Sequence, residues 1–306
     1  MINTNSIMTS KEWESYRNSG LHRVKLKRLG EYQKFLDWVE VVKPKYNGYL
    51  TYYEKFLKTE RHLSYSEGCP IFNFFKLVPG RNFITDFSLE HLSDNYPIRD
   101  DIEEIIDKNI LKKWDDSFTK PINFKENDYI LFLTQHLWSK PQLDILKQVI
   151  QYSIENKEIL VIKEHIIPPE GMIMYKKAVE YVKKVSQKYD NIHFIDKTYE
   201  TYPLLDKAKY IWSVNSSVGL TAIIRGKRYS YFTKNMDFAF HIAAHHVNSI
   251  EEAVKYDFSY ERFLSKFSWY YDKMVIDVND ENHFYKLDKQ FHRFYNEQIS
   301  DIEYFK

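Results

Sequence analysis

Five short apolar segments alternate with stretches of helical periodicity between residues 129 and 232, and this alternation constrains the fold more than any other feature of the chain. The apolar segments predict strands at 129–134, 158–162, 192–195, 210–214 and 228–232, and the first two are expected to be buried in the sheet. The intervening segments predict helices at 143–154, 172–189, 199–207 and 217–225. Strands and helices that alternate with short connections favour a parallel sheet covered by helices, as in a Rossmann-like domain.

The remaining segments of the 306-residue chain have weaker patterns. They predict helices at 31–42, 49–58, 101–114, 249–272 and 283–300, and a strand at 62–65. A polar, proline-containing break at 121–127 indicates a domain boundary. We therefore expect an α/β protein with a domain at 1–127 and a second, Rossmann-like domain with a helical tail at 128–306.

The charge balance argues against nucleic acid as a partner. Lys and Arg number 44 and Asp and Glu number 43, so the chain has no global basic field. A local basic stretch at 17–34 has leucines interleaved with it. It is either a solvated helix face or a patch that contacts the anionic inner face of a membrane.

Several absences in the sequence favour the cytoplasm. Cys69 is the single cysteine, which excludes an internal disulfide and a cysteine-based zinc site. The first 17 residues lack the apolar core of a signal peptide, and no apolar run reaches the length of a membrane span. We expect a cytoplasmic protein whose membrane contact, if any, is peripheral, on the inner membrane face.

Ligands of such sheets bind at the carboxyl ends of the strands, which directs attention to the residues that follow each strand. Gln135 follows the first strand, and Lys163 and His165 follow the second. A histidine there can donate to a phosphate oxygen or protonate a leaving group. An isolated histidine is more often structural, and that interpretation stays open.

The segment after the fourth strand is the sharpest local signal. Asn215, Ser216 and Ser217 stand at the start of a predicted helix, with Gly219 inside its first turn. Unpaired N–H groups and hydroxyls at that position suit a nucleotide phosphate, since the helix dipole favours an anion there. Simple helix capping by serine is the alternative.

Two further signals are weaker. Glu67 precedes Gly68 in a predicted loop, where a carboxylate could act as general base on an acceptor hydroxyl or be an ordinary surface residue. His241 and His245 have a metal-binding spacing, but no carboxylate follows as in HExxH, and packing or a substrate contact is the alternative. GxGxxG and Walker A motifs do not occur. We expect neither a metal nor an organic cofactor.

Together these motifs resemble the bacterial capsule polysaccharide synthesis family, which includes Kdo transferases. The family signature of two hydroxyl residues, Val-Gly-Leu and an Arg-Gly-Lys run is similar to 215–220 followed by 225–227. Its Lys-x-His-Pro element looks like 163–165, with Ile166 in place of the proline. Its acidic loop and Gly-x-Asn element look like 66–68 and 80–82, with the acid shifted.

The resemblance implies a GT-B-like glycosyltransferase with two Rossmann-like domains, the first of them reduced. It implies a CMP-activated donor, Kdo or sialic-acid-like, and a capsule or lipopolysaccharide-type glycan or glycolipid acceptor. In this family pattern His165 and the serine pair hold the nucleotide phosphate, and Glu67 is the implied base. We expect Gln135, Lys163, Asn215 and Gly219 to belong to the same nucleotide-binding site. Two alternatives remain: a polyol-phosphate transferase of the teichoic-acid type, and a non-catalytic nucleotide-binding subunit.

Overall fold

The computed structural model describes residues 29–46, 49–52, 62–67, 74–79, 95–110, 120–134, 139–165, 173–214, 216, 218–232, 245–297, 299 and 303–304. In chain order, the helices and strands are α1 (Leu29–Val42), β1 (Tyr49–Tyr52), β2 (His62–Glu67), β3 (Phe74–Pro79), α2 (Ile102–Ile110), β4 (Tyr129–Leu133), α3 (Lys140–Glu155), β5 (Leu160–Lys163), α4 (Ile173–Ser186), β6 (Ile192–Ile195), α5 (Tyr202–Lys207), β7 (Ala208–Ser213), α6 (Val218–Ile224), β8 (Tyr229–Tyr231), β9 (His245–His246), α7 (Ile250–Lys255), α8 (Tyr260–Lys273), β10 (Val275–Asp277) and α9 (Asn282–Tyr295). A short 3₁₀ turn, Lys43–Lys45, follows α1.

The chain folds into two compact units. The first contains Met1–Asp115, Asp237–Ile242 and Leu264–Lys306, and the second contains Asp116–Met236 and Ala243–Phe263. The sequence-based division assigned the tail from 264 onward to the second domain, which differs from this grouping. The tail returns to the first unit because β10 pairs with β3 and because α9 packs on α1 and β10.

The second unit is built on a sheet whose described strands lie in the order β6-β5-β4-β7-β8-β9, with every neighbouring pair parallel. All residues of β4 and β5 are buried, including Lys163 at the end of β5. The apolar sequences YILFL and LVI predict this burial for interior strands. Helices α3 and α4 and the short α7 cover one face with a continuous apolar core. The five strands predicted between 129 and 232 are confirmed, with shifts of one or two residues at their ends.

Helix α3 shows how local sequence sets an element boundary. The side chain of Gln142 accepts a hydrogen bond of 2.9 Å from the N–H of Ser139, the residue before the helix. A proline lies in the first turn, where its missing N–H costs no helical hydrogen bond. These signals start the helix at Lys140, three residues before the start that hydrophobic periodicity predicts.

The first unit contains a mixed sheet with the order β1-β2-β3-β10 among the residues described. The β1–β2 pair is parallel, whereas β2–β3 and β3–β10 are antiparallel. Phe35 of α1 stacks on Phe75 of β3 with ring centroids 4.4 Å apart. The predicted helix at 49–58 is wrong over 49–52, because this Tyr- and Thr-rich segment pairs with β2 as a strand.

The expected α/β class, with a parallel sheet and a helical C-terminal region, is confirmed. The predicted helix at 249–272 is divided into α7 and α8, and the prediction did not contain the strands β3, β9 and β10.

Candidate functional site

The order of strands in the second unit defines one place at the carboxyl ends of the strands where a ligand can bind. Strands β4, β5 and β6 progress outward on one side, and β7, β8 and β9 progress outward on the other. The order in which successive strands are added to the sheet therefore switches sides between β4 and β7, which are parallel, hydrogen-bonded neighbours. In open α/β sheets the crevice at the carboxyl ends of two such strands is the usual ligand site. Thr134 follows β4 at this point, and Val214 and Ser216 follow β7.

A buried tyrosine of β8 forms hydrogen bonds with the turn after β7. The hydroxyl of Tyr229 lies 2.5 Å from Ser213 Oγ, accepts from the N–H of Ser216 at 3.3 Å and lies 3.2 Å from the Ser216 carbonyl oxygen. Complete burial raises the pKa of Tyr229, so the phenol stays protonated and donates. Tyr229 thus fixes the main chain at the start of α6.

Ser216 acts as a local cap in this structure. Its side chain is buried, and its Oγ accepts from the N–H of Val218 at 3.3 Å. This contact agrees with the capping interpretation for Ser216. Gly219 is buried against the Tyr229 ring, whereas the predicted binding residues Asn215 and Ser217 lie outside the described residues.

The Arg-Gly-Lys run of the family signature lies at the opposite end of α6 from this turn. Arg225 Nη1 donates to both carboxylate oxygens of Asp206, at 2.6 and 2.8 Å, and Lys227 Nζ donates to the carbonyl of Asp206. Gly226 has a φ of +69°, the left-handed conformation that ends many helices. The run therefore terminates α6 and ties it to the end of α5.

Hydrogen bonds hold the main chain at Lys163, Glu164 and His165, the segment that ends β5. Thr134 donates to the Lys163 carbonyl from its N–H at 3.2 Å and from its Oγ1 at 3.1 Å. The Glu164 N–H donates to the carbonyl of Ile195 at 2.8 Å. The His165 N–H donates to Thr134 Oγ1 and to the Tyr175 hydroxyl, each at 3.1 Å. The ends of β4, β5, β6 and the start of α4 are thereby joined around one turn.

The hydroxyls of Thr134 and Tyr175 have assignable roles. Thr134 Oγ1 carries a single proton, which it donates to the Lys163 carbonyl. In the 3.1 Å contact between the two hydroxyls, Tyr175 is therefore the donor. Burial raises the pKa of Tyr175 and keeps that proton in place. His165 itself is half-buried at the carboxyl edge of the sheet.

Lys163, which the sequence analysis assigned to nucleotide binding, is only 2% exposed. Its Nζ donates to the carbonyls of Glu164 at 2.8 Å and Asp196 at 3.0 Å. Asp196 follows β6, and its Oδ1 accepts from the N–H and the hydroxyl of Thr198. The Thr198 hydroxyl, and to a smaller extent the Lys163 charge, hold the pKa of Asp196 below its ordinary value.

The other predicted site residues lie elsewhere or outside the description. Gln135 falls outside the described residues. Glu67 is the last residue of β2, opposite Phe75 of β3, so its main chain belongs to a strand and not to the predicted loop. His245 belongs to the edge strand β9 and not to a helix, and His241 is outside the described part. Within that part, no group of three or more His, Cys, Asp or Glu residues is arranged for a metal ion.

Three residues of this arrangement escaped the sequence analysis as functional candidates: Thr134, Tyr175 and Tyr229. A polar residue directly after the apolar run YILFL was a usable signal for Thr134. Tyr175 and Tyr229 look like ordinary apolar positions of a helix and a strand. Their hydroxyl contacts join segments 10 to 41 residues apart, which no local pattern encodes.

No helix in the described segments has the length and apolar character needed to cross a membrane. No curated protein matches the chain in a sequence search.

The fold resembles several solved structures at low sequence identity. Two are from Thermosulfurimonas dismutans KpsC. Its beta Kdo 2,4 transferase has 12% identity and a TM-score of 0.43, over 71% of this chain and 78% of that one. Its beta Kdo 2,7 transferase has 12% identity and a TM-score of 0.42, over 81% and 87%. The UDP-GlcNAc 2-epimerase of Methanocaldococcus jannaschii has 12% identity and a TM-score of 0.33, over 68% and 52%.

The family model described as "Capsule polysaccharide biosynthesis protein" matches residues 128–236, the segment that contains β4 to β8 and both strand-end turns. This match agrees with the motifs read from the sequence at 163–165 and 215–227. In sequence, residues 128–236 of this chain are therefore similar to the capsule polysaccharide biosynthesis family.

Proposed function

We propose that the protein is a glycosyltransferase of GT-B type that binds a CMP-activated sugar at the carboxyl edge of β4 and β7. The observation that carries this proposal is the reversal of strand order between those two strands, inside the segment that matches the capsule polysaccharide biosynthesis family. The proposed acceptor is a capsule or lipopolysaccharide-type glycan or glycolipid, and the proposed donor sugar is Kdo or a sialic-acid-like sugar. The proposed location is the cytoplasm, with peripheral contact to the inner membrane.

The proposed donor contacts come from the two strand-end turns. The turn after β7 would supply Ser216, Ser217 and main-chain N–H groups to the nucleotide phosphate. The turn after β5 would supply His165, whose main chain is already fixed by Thr134 and Tyr175. Hydrogen-bond donors that are already fixed in place favour anion binding, because little reorganisation is needed when the ligand binds. Gln135, Asn215 and Gly219 complete the proposed nucleotide site.

Calorimetric titration of the full chain with CMP tests the donor site directly. Ser217→Ala should weaken CMP binding by about 1–3 kcal/mol, the range for loss of a hydrogen bond to a charged group. Ser186→Ala is the matched control, since Ser186 ends α4 and bonds only locally to the Lys183 carbonyl. A folded chain that does not bind CMP, or a Ser217 variant with unchanged affinity, would refute the site.

Turnover separates catalysis from binding alone. His165→Ala should reduce transfer more than it reduces the melting temperature, because the half-buried imidazole leaves no large core cavity. If thermal stability collapses while the activity of the folded fraction is retained, His165 is structural. CMP binding without any transfer or hydrolysis would instead support the non-catalytic subunit.

The general base is proposed to be Glu67, from the first unit. A positioned general base contributes about 10²–10⁴-fold, so Glu67→Gln should lower transfer by that factor and leave CMP affinity unchanged. Glu103→Gln, at an exposed position in the first turn of α2, is the matched control. Full activity of the Glu67 variant would place the base elsewhere.

A further inference from the structure

Lys163 has a chemically unusual environment for a lysine. It ends the central strand β5, its side chain is 2% exposed, and its neighbours along β5 are Leu160, Val161 and Ile162. Burial of an ammonium group costs free energy unless hydrogen bonds and charge compensate for lost water. A methionine of similar size would avoid that cost. The charge must therefore do something that an apolar side chain cannot.

The contacts of the ammonium group show what it does. Its two main-chain acceptors, the carbonyls of Glu164 and Asp196, belong to the first residues after β5 and β6. Both carbonyls come after the ladder hydrogen bonds of these strands have ended. The lysine side chain thus links the segments that follow β5 and β6, where main-chain hydrogen bonds between the two strands have ended.

The residue that follows Glu164 is His165, which is proposed to donate a hydrogen bond to the nucleotide phosphate. Its N–H is held on the other side by Thr134 Oγ1 and the Tyr175 hydroxyl. The peptide unit that joins Glu164 to His165 therefore has its carbonyl fixed by Lys163 and its N–H fixed by two hydroxyls. These contacts restrict the rotation of this peptide from both sides.

We propose that Lys163 is a positioning residue of the donor site: its buried ammonium holds the Glu164–His165 peptide in place and does not itself contact the donor phosphate. This inference rests on the proposed function. It replaces the direct phosphate contact that the sequence motif suggested, because a phosphate entering from solvent meets the half-buried His165 and not the 2% exposed Lys163.

A double-mutant cycle on CMP affinity tests the proposal. Lys163→Met should weaken CMP binding by about tenfold in the natural background and by less than about twofold in a His165→Ala background, since a residue that acts through another loses its effect when the other is absent. Equal losses in both backgrounds would mean that Lys163 acts on the ligand independently, and would overturn the proposal.

Tyr175→Phe provides a second variant for the case in which Lys163→Met does not fold. It removes one acceptor of the His165 N–H without changing any charge, and it should show the same coupling to His165→Ala. An affinity loss that is independent of His165 would contradict the proposed positioning network. Lys209→Met is the matched control: this lysine also lies in the sheet, on β7, but is 42% exposed and pairs with Glu158. It should leave CMP affinity unchanged in both backgrounds.

Amide hydrogen exchange in the free protein separates failure of this inference from failure of the proposed function. In Lys163→Met the His165 amide should exchange about tenfold faster or more, whether or not CMP binds, because local opening becomes easier. In Lys209→Met it should not change. Unchanged exchange at His165 in Lys163→Met would refute the positioning role, whereas absent CMP binding with accelerated exchange would refute only the donor site.

Discussion

The ring of Tyr229 occupies the space in which a side chain at position 219 would begin. A Cβ built on Gly219 would lie 2.0 Å from Tyr229 Cε1 and 2.2 Å from Cζ. Tyr229 is completely buried in β8, and its hydroxyl is bonded to Ser213 and Ser216, so the ring has no room to withdraw. The glycine of the family motif is therefore required by packing of α6 on β8.

Gly219→Ala should destabilise the protein by about 1–3 kcal/mol or more, as overpacking of a rigid core does. Urea unfolding measures the loss. Gly30→Ala is a matched control in helix α1, where a Cβ meets nothing within 4 Å, and it should stabilise by about 0.5–1 kcal/mol. A compensating Tyr229→Val change should make the double variant less unstable than the sum of the two single losses. Simple additivity would contradict the clash.

Tyr229→Phe should isolate the role of the hydroxyl from that of the ring. The change leaves Ser213 Oγ and the Ser216 main chain without their partner in a buried turn, which costs about 1–3 kcal/mol. CMP affinity should fall as well if this turn holds the phosphate. Tyr285→Phe serves as the control, since Tyr285 is 72% exposed. A Tyr229→Phe variant as stable as the natural protein would show that the turn after β7 does not depend on the Tyr229 hydroxyl.

His283 should make the first unit sensitive to acid. Its Nδ1 accepts a 2.7 Å hydrogen bond from the N–H of Asp277, so the ring must be neutral. Burial, assisted by the nearby Lys286 and Arg99 charges, lowers the pKa of His283 from 6.5 to about 3. Between these values the unfolded chain binds a proton that the folded chain does not. The stability present above pH 6.5 is therefore lost as the pH falls, by about 2 kcal/mol at pH 5.

The measurement is the free energy of unfolding at pH 8 and pH 5 for the natural protein and for His283→Asn, whose amide oxygen can replace Nδ1 as acceptor. The variant should lose about 2 kcal/mol less than the natural protein over this interval. Equal acid sensitivity of the natural protein and His283→Asn would rule out this histidine as the cause.

The C-terminal helix α9 should stabilise the first unit selectively. Phe291 is fully buried and its ring lies 5.8 Å from that of Tyr46, which follows α1. Phe291→Ala should cost about 3–5 kcal/mol through lost burial and a cavity. Amide exchange should accelerate in β3 and leave β4 and β5 protected. The opposite pattern would assign the tail to the second unit, as the sequence-based domain division did.

Local patterns were sufficient for the interior strands of the second unit. A strand buried on both faces must be almost continuously apolar, and YILFL of β4 and LVI of β5 show this without reference to any partner. The first unit was less predictable. Its segment YLTY has no strong hydrophobic periodicity. It forms a strand because it pairs in register with HLSY of β2. The three residues of β10 are too short for any periodicity and depend on β3.

By itself, the sequence determined the alternating architecture of 128–236, the residues at the ends of its strands and the motifs that resemble the capsule polysaccharide biosynthesis family. Tertiary structure decided what those residues do. The sequence places Lys163 beside His165, but only the pairing of β5 with β6 brings its ammonium to the Asp196 carbonyl, 33 residues away. Likewise, Gly219 reads as a helix residue until β8 places the Tyr229 ring against it. Periodicity and propensity act over a few residues, whereas burial and hydrogen-bond partners are set by segments that meet only in the folded chain.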